Sequence, residues 1–156
     1  MRVCILGNSL SGLALAKALV NQNISVDLVY EKKQKKLDQS RTIGISRSNV
    51  HFFNNHIIDI KKIIWKLNKI EIYTDNLQKE KLLNFENNGN ELFSIIRNID
   101  LVEVLKKSLS NNKKFKKLYK KINSKLIEKY DLVVNTDIFN FITKKYFYNK
   151  IVKEYN

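Results

Sequence analysis

Gly7 and Gly12 stand five positions apart in VCILGNSLSGLALAKAL (residues 3–19), between an apolar run and a helix-forming run. A glycine turn in that setting is chemistry for a phosphate. One glycine permits a tight turn after a strand, a second lets the backbone approach a pyrophosphate, and a third lets the following helix lie close on the strand. The helix start then aims N–H groups and a partial positive charge at the anion. Gly7 and Gly12 hold the first and third positions. Ser9 stands at the middle one, adding a Cβ and a hydroxyl able to donate to a phosphate oxygen, and Leu10 and Ser11 complete the turn. Glu31 closes ISVDLVYE, where an acid at the end of the next strand accepts from a ribose hydroxyl; Lys32 follows it.

These residues need a strand, a helix and a second strand to position them. Val3, Cys4, Ile5 and Leu6 are consecutively apolar, as a parallel strand covered on both faces tends to be, so residues 2–6 read as a buried strand. Residues 10–22 read as a helix, with Ala14, Ala16 and Ala18 small enough to lie near a sheet, and residues 24–30 as a second strand. Together they form a βαβ unit with a right-handed crossover. Residues 31–41 read as a solvated loop and 42–46 as a short strand. Residues 48–67 read as helical in pieces and 69–75 as a strand. Residues 81–96 read as a hairpin turning at Asn88-Gly89-Asn90. Leu101, Val104, Leu105 and Leu109 make one face of a helix over 98–110, and residues 111–137 end in a buried strand at Leu132-Val133-Val134. There is no internal repeat and no linker-like stretch.

Composition bounds what such a chain can do. Its 156 residues suffice for one domain with a core, and 44% apolar content excludes wholesale disorder. The net charge of +14 first suggests nucleic acid, but only four of the 29 basic residues are arginine, the better bidentate reader of phosphate and guanine. The lysines accompany many Asn and Ile, and a Lys/Asn/Ile-rich composition accounts for them better than specific nucleic-acid binding. Peripheral association with an anionic membrane stays open. Cys4, the one cysteine, permits no internal disulfide, fits a reducing setting and reads as a small buried hydrophobe. Gly7, Asn8, Ser9, Ser11 and Lys17 break the first apolar stretch, arguing against a signal peptide, and no run nears the roughly 18 apolar residues of a membrane span. The expected location is the cytoplasm, in part at the inner face of the membrane. His51 and His56 are five apart, without metal-binding spacing, and read as surface or packing residues; Trp65, Phe52, Phe53, Tyr146, Phe147 and Tyr148 read as core or cut-surface aromatics.

With these residues in view, the chain resembles the N-terminal portion of FAD-dependent aromatic-ring monooxygenases, especially the ubiquinone-biosynthesis hydroxylases. The first βαβ unit is similar to theirs. QSRTIGISRSNVHFF resembles the family segment in which an arginine, here Arg41, precedes a strand and a helix near the flavin. IIRNIDLVEVLKKSL resembles its Arg-x-x-(Asp/Glu)-Leu helix start, with Arg97 at the arginine, and YDLVVNTD its Asp-Leu-Val-Val-Gly-Ala-Asp-Gly strand, with Asp131 and Asp137 matching. Departures are Ser9 for the middle glycine, Asn135, Thr136 and Ile138 for the Gly, Ala and Gly around Asp137, Phe141 for a small Ser, and Lys144 for an Arg.

The resemblance implies an α/β, Rossmann-like FAD-binding domain over residues 1–156. Its sheet would be mostly parallel, with strands at 2–6, 25–30 and 131–135 and an inserted α/β segment near 48–96 holding a partial antiparallel element. It would be truncated relative to a family whose members are more than twice as long. Gly7, Ser9, Leu10, Ser11, Gly12, Glu31, Lys32, Arg41, Arg97 and Asp137 would contact FAD, with NAD(P)H as reductant, O2 as oxidant and a small aromatic, quinone-precursor-like substrate. No catalytic acid or base and no metal site is implied. A non-catalytic remnant or interaction protein keeping the fold stays open as an alternative, as does a basic nucleic-acid binder.

Overall fold

The computed structural model describes residues 1–31, 40–75 and 79–147; Lys32 and Tyr148 lie outside them. In chain order the elements are β1 (Arg2–Leu6), α1 (Leu10–Asn21), β2 (Ser25–Tyr30), β3 (Thr42–Ser46), α2 (Arg47–Phe52), β4 (Ile64–Leu67) and β5 (Lys69–Tyr73). They continue with β6 (Lys81–Glu86), β7 (Phe93–Arg97), α3 (Asn98–Ser110), β8 (Phe115–Tyr119), α4 (Ser124–Ile127), β9 (Leu132–Asn135) and α5 (Phe141–Tyr146). The chain forms two compact units, residues 1–36 with 105–156, and residues 37–104. Among the described residues no helix is long and apolar enough to cross a membrane.

In the first unit a parallel sheet runs β8-β2-β1-β9. Val3, Cys4, Ile5 and Leu6 are wholly buried, the mark of a strand covered on both faces. Gly12, Leu13, Ala16 and Val20 are the buried residues of α1. On the face that carries Cys4 and Leu6, these two pack with Val29, Ile122 and Ile142, backed by Leu118, Leu126, Ile127, Tyr130 and Val133. The β8 strand was not legible in sequence. FKKLY sits at the sheet edge, where only Phe115 and Leu118 are half-buried, and its exposed lysines discourage further edge pairing.

That face also carries a buried carboxylate. Asp27 pairs in register with Cys4 and is 3% exposed. A buried carboxylate is costly unless partnered. Here it accepts from Arg2 Nη2 at 2.5 Å and from the Tyr130 hydroxyl at 2.8 Å, while the Arg2 guanidinium lies 5.0 Å from the Tyr130 ring centre. Burial, and secondarily the Asp27 charge, push the Cys4 thiol up to about 12. Burial likewise raises the Tyr130 phenol.

In the second unit β7 is the centre of an antiparallel sheet β3-β7-β4, and β5 pairs with β6 in a separate ribbon. Two expectations change here. Residues 48–67 are helical in pieces only as far as Ile63: α2 passes into a π turn at Phe53–Ile57 and a 3-10 turn at Lys61–Ile63, but Ile64–Leu67 is the strand β4. Residues 81–96 do not pair as one hairpin. The tight turn forms, with positive φ at Asn88 and Gly89 and a bridge from Asn87 to Asn90. Its arms then part, because Ser94 and Ile96 are wholly buried between β3 and β4 whereas every residue of β6 is exposed. In α3 the buried positions are Leu101, Val102, Leu105 and Leu109, with Val104 half-buried.

Two outcomes follow from the Asp27 cluster. Tyr130→Phe removes a hydrogen bond to a buried charged acceptor and should cost about 1.5–3 kcal/mol, read as a lowered denaturation midpoint; an unchanged midpoint would contradict the cluster. Cys4 ionises near 9 when unfolded and near 12 when folded, so its contribution to stability is complete below pH 9 and is lost as pH rises toward 12. Cys4→Val should therefore flatten part of the alkaline loss of stability, and native Cys4 should resist thiol reagents that label the unfolded chain.

Candidate nucleotide site

The carboxyl ends of β1 and β9 build the site in the first unit. β1 ends at Leu6, and Gly7 turns the chain at φ +112°, a region side chains rarely enter. Gly7 N–H donates to the Val29 carbonyl at 2.8 Å, tying the turn to β2. A Cβ on Gly7 would lie 2.8 Å from Thr136 Oγ1 and 3.2 Å from Asp137 N. A Cβ on Gly12 would lie 3.0 Å from Thr136 Oγ1 and in ordinary contact, 3.5 Å, with Gly7 O and Ile5 Cγ2. Both glycines therefore make room for the segment that follows β9, and Gly12 also seats α1 on β1.

Ser9 is the N-cap of α1. Its hydroxyl accepts from Gly12 N–H at 3.2 Å and donates to Thr136 Oγ1 at 3.3 Å, and Thr136 Oγ1 donates to the Leu6 carbonyl at 2.9 Å. One chain of hydrogen bonds thus runs from the helix start back to the end of β1. Leu13 N–H is taken by the Ser9 carbonyl. Leu10 and Ser11 supply the remaining first-turn N–H groups, and no acidic residue sits in that turn to repel an anion.

Asp137 joins this group through the turn after β9. Asn135 Oδ1 accepts from Asp137 N–H at 3.1 Å and from Asn140 Nδ2 at 2.6 Å; Asn135 Nδ2 donates to Thr143 Oγ1 at 2.6 Å. The Asp137 carboxylate accepts from Phe139 N–H at 2.9 Å, and Asn140, 3% exposed, caps α5 through Thr143 N–H. Asn135, Thr136 and Asn140 were missed as site-forming residues. The Asn-x-x-Thr spacing of a capping pair at 140–143 was the available signal.

Glu31 stands one residue beyond β2 on the same sheet edge, and Oε1 accepts from Ile122 N–H at 2.6 Å. It therefore staples the segment after β8. The two arginines belong to the second unit. Thr42 and Arg97 are register partners and Asn98 N–H donates to the Arg41 carbonyl, so Arg41 and Arg97 share one end of the β3–β7 ladder. Arg97 Nε donates to Asp100 Oδ2 at 2.8 Å and the guanidinium lies 5.7 Å from the Trp65 ring centre. This arm lines a cleft of about 330 Å³ with Lys62, Ile64 and Glu103.

Of the two histidines, His51 contacts Asn55 and His56 stacks on Phe52, and the described residues hold no cluster of three metal-ligating groups. Trp65 and Phe52 are each 51% exposed, so neither is a core residue.

The donor set at the first-unit edge fits a pyrophosphate at Leu10 and Ser11 and a ribose hydroxyl at Glu31. A parallel sheet ordered β8-β2-β1-β9, with a glycine turn into α1, defines a Rossmann-like α/β fold. Solved structures share it. A variant of PqsL from P. aeruginosa superposes with a TM-score of 0.70 at 12% identity, over 100% of this chain and 48% of that one. 2,6-Dihydroxypyridine-3-hydroxylase from Arthrobacter nicotinovorans gives 0.56 at 18% identity over 77% and 29% of the two chains. Klebsiella pneumoniae HpxO, solved with FAD and uric acid, gives 0.58 at 17% identity over 78% and 31%. The chain thus spans less than half the length of these structures. No protein-family model matches the sequence, and no curated protein matches it.

The two glycines should fail differently. Gly7→Ala meets a forbidden φ and the Asp137 backbone as well as the Thr136 hydroxyl, so it should cost about 3 kcal/mol in chemical denaturation, with at most partial rescue by Thr136→Ala. Gly12→Ala meets chiefly the Thr136 hydroxyl, and Thr136→Ala should restore it. Full rescue of Gly7→Ala, or none of Gly12→Ala, would refute this packing.

Proposed function

We propose that this chain is the FAD-binding portion of a flavin-dependent monooxygenase that hydroxylates a small aromatic, quinone-precursor-like substrate with NAD(P)H and O2. The observation that carries it is the shared sheet edge. The Gly7 turn, the Leu10 and Ser11 N–H groups, Glu31 and the Asp137 turn all lie at the carboxyl ends of parallel strands, where such folds bind ligands. Bound flavin would supply the redox chemistry of oxygen activation. The chain's own part is to hold and orient: Leu10 and Ser11 bind the pyrophosphate, Glu31 the adenosine ribose, Gly12 keeps α1 close, and Asp137 faces the same edge. Arg41, Arg97 and Lys32 are assigned to the same cofactor by resemblance, with residues 48–96 as an insert in one domain. The neighbours acting on or solved with aromatic compounds support the substrate class. This reading places the protein in the cytoplasm, in part at the inner face of the membrane.

A second reading is favoured by one specific observation. The Gly12–Ser9–Thr136–Leu6 hydrogen-bond chain closes the turn on itself, as in a remnant that keeps the fold without the cofactor.

FAD titration separates the two. Under the first reading the purified chain takes up flavin and melts higher with FAD. Glu31→Gln keeps an acceptor for Ile122 N–H, so it should weaken FAD binding about tenfold with little change in the apo midpoint. Glu31→Ala should lose affinity and also about 1 kcal/mol of apo stability. A folded wild-type chain with no flavin uptake and no FAD-dependent shift in melting would sink the first reading; uptake appearing only in Ser9→Gly would establish the second.

A further inference from the structure

Half of the chain's net +14 sits in one short segment. Residues 113–129 hold eight lysines against Glu128 alone, and no arginine follows Arg97 anywhere in the chain. Part of this segment folds as a covering layer of the first unit. Ile122, Leu126, Ile127 and Tyr130 turn inward onto the Cys4–Leu6 face together with Ile142 of α5. Lys120, Lys121, Lys125, Lys129, Lys144 and Lys145 are all exposed on that layer.

The same layer exposes large apolar side chains. Ile138 is 64% exposed, Phe139 73%, Phe141 41%, Tyr146 59% and Phe147 63%, although Ile142 between them is buried. Five large exposed hydrophobics within ten residues form a patch of the kind that marks an interaction surface. Cation and ring are interleaved here: Lys145 Nζ lies 5.8 Å from the Phe141 ring centre and 5.0 Å from that of Tyr146. The nearby acids, Glu128, Asp131 and Asp137, are outnumbered by these six lysines, so the layer stays net positive.

We infer that this layer docks on an anionic lipid bilayer, with Phe139, Phe141 and Phe147 entering the headgroup boundary and the surrounding lysines pairing with anionic headgroups. Interfacial segments combine aromatics at the polar boundary with lysines that reach phosphate while burying their stems. Lysine without arginine suits a diffuse anionic surface better than the bidentate contacts by which nucleic acids are read. An aliphatic side chain as exposed as Ile138 has no use on a backbone-tracking nucleic-acid groove. The inference rests on the membrane-side location proposed above and is independent of FAD.

The test is sedimentation of the full chain with vesicles of phosphatidylcholine alone and of phosphatidylcholine mixed with phosphatidylglycerol. Binding to the mixed vesicles only is expected, with loss at about 1 M salt, where the screening length is about 3 Å. Phe139→Ser with Phe147→Ser should reduce binding at least tenfold at unchanged net charge. Lys144→Glu with Lys145→Glu should do the same, both with the melting curve of the parent. Three results would overturn the inference. One is absence of binding to mixed vesicles. Another is binding that ignores the two phenylalanines and is matched by single-stranded DNA, which indicates affinity for any polyanion. The third is a dimer, measured by light scattering, that Phe139→Ser dissolves and that vesicles do not compete for. FAD titration of the same samples keeps failure of this surface distinct from failure of the cofactor site.

Discussion

Everything in the first unit is arranged around a strand whose last four residues are wholly buried. Val3 to Leu6 are covered on both faces and bonded along both edges, by β2 and by β9. Such a strand can only be left through a turn that adds no bulk, and Gly7 at φ +112° is that turn. The constraint then propagates. A bare backbone at Gly7 and Gly12 admits Thr136, Thr136 bonds Leu6 and Ser9, and Ser9 caps the helix. The geometry that could cradle a phosphate is thus first a solution to a packing problem at the end of β1.

Ser9 changes meaning in this light. Its hydroxyl has two structural partners, so the position holds together the helix start and the strand end. A chain of hydrogen bonds inside a low-dielectric setting strengthens its members. The turn is consequently stiffer than a three-glycine version, and donor capacity toward a ligand is concentrated on Leu10 and Ser11. Glu31 likewise has a structural task, one oxygen accepting from Ile122 N–H.

What was legible in the sequence follows from how strongly each segment's burial constrains its residues. β1, α1, β2 and β9 lie within a residue or two of the limits expected from their apolar or small side chains, but β9, expected to be buried, is only half-buried, with Leu132 exposed. β8 was invisible because an edge strand rich in lysine carries little hydrophobic pattern. The 81–96 segment misled for the opposite reason. Its Asn-Gly turn is a true local signal, but burial of Ser94 and Ile96 directs β7 to other partners. The two glycines of the site were readable as types. Thr136 was not, because its role depends on contact with a helix start more than 120 residues away, whereas the Asn135, Asn140 and Thr143 contacts around Asp137 are local and left a capping signal at 140–143.

The pairing of β1 with β9 also governs when the molecule can form. Arg2 N–H reaches Asp131, whose own N–H returns to the Arg2 carbonyl, across a separation of 129 residues. On the ribosome β1, α1 and β2 emerge early, yet one edge of the central strand has no partner until β9 has been synthesised. Non-local pairings of this span slow folding, and an uncovered strand edge is a template for association. The nascent chain therefore carries that edge of β1 open until β9 emerges and closes it.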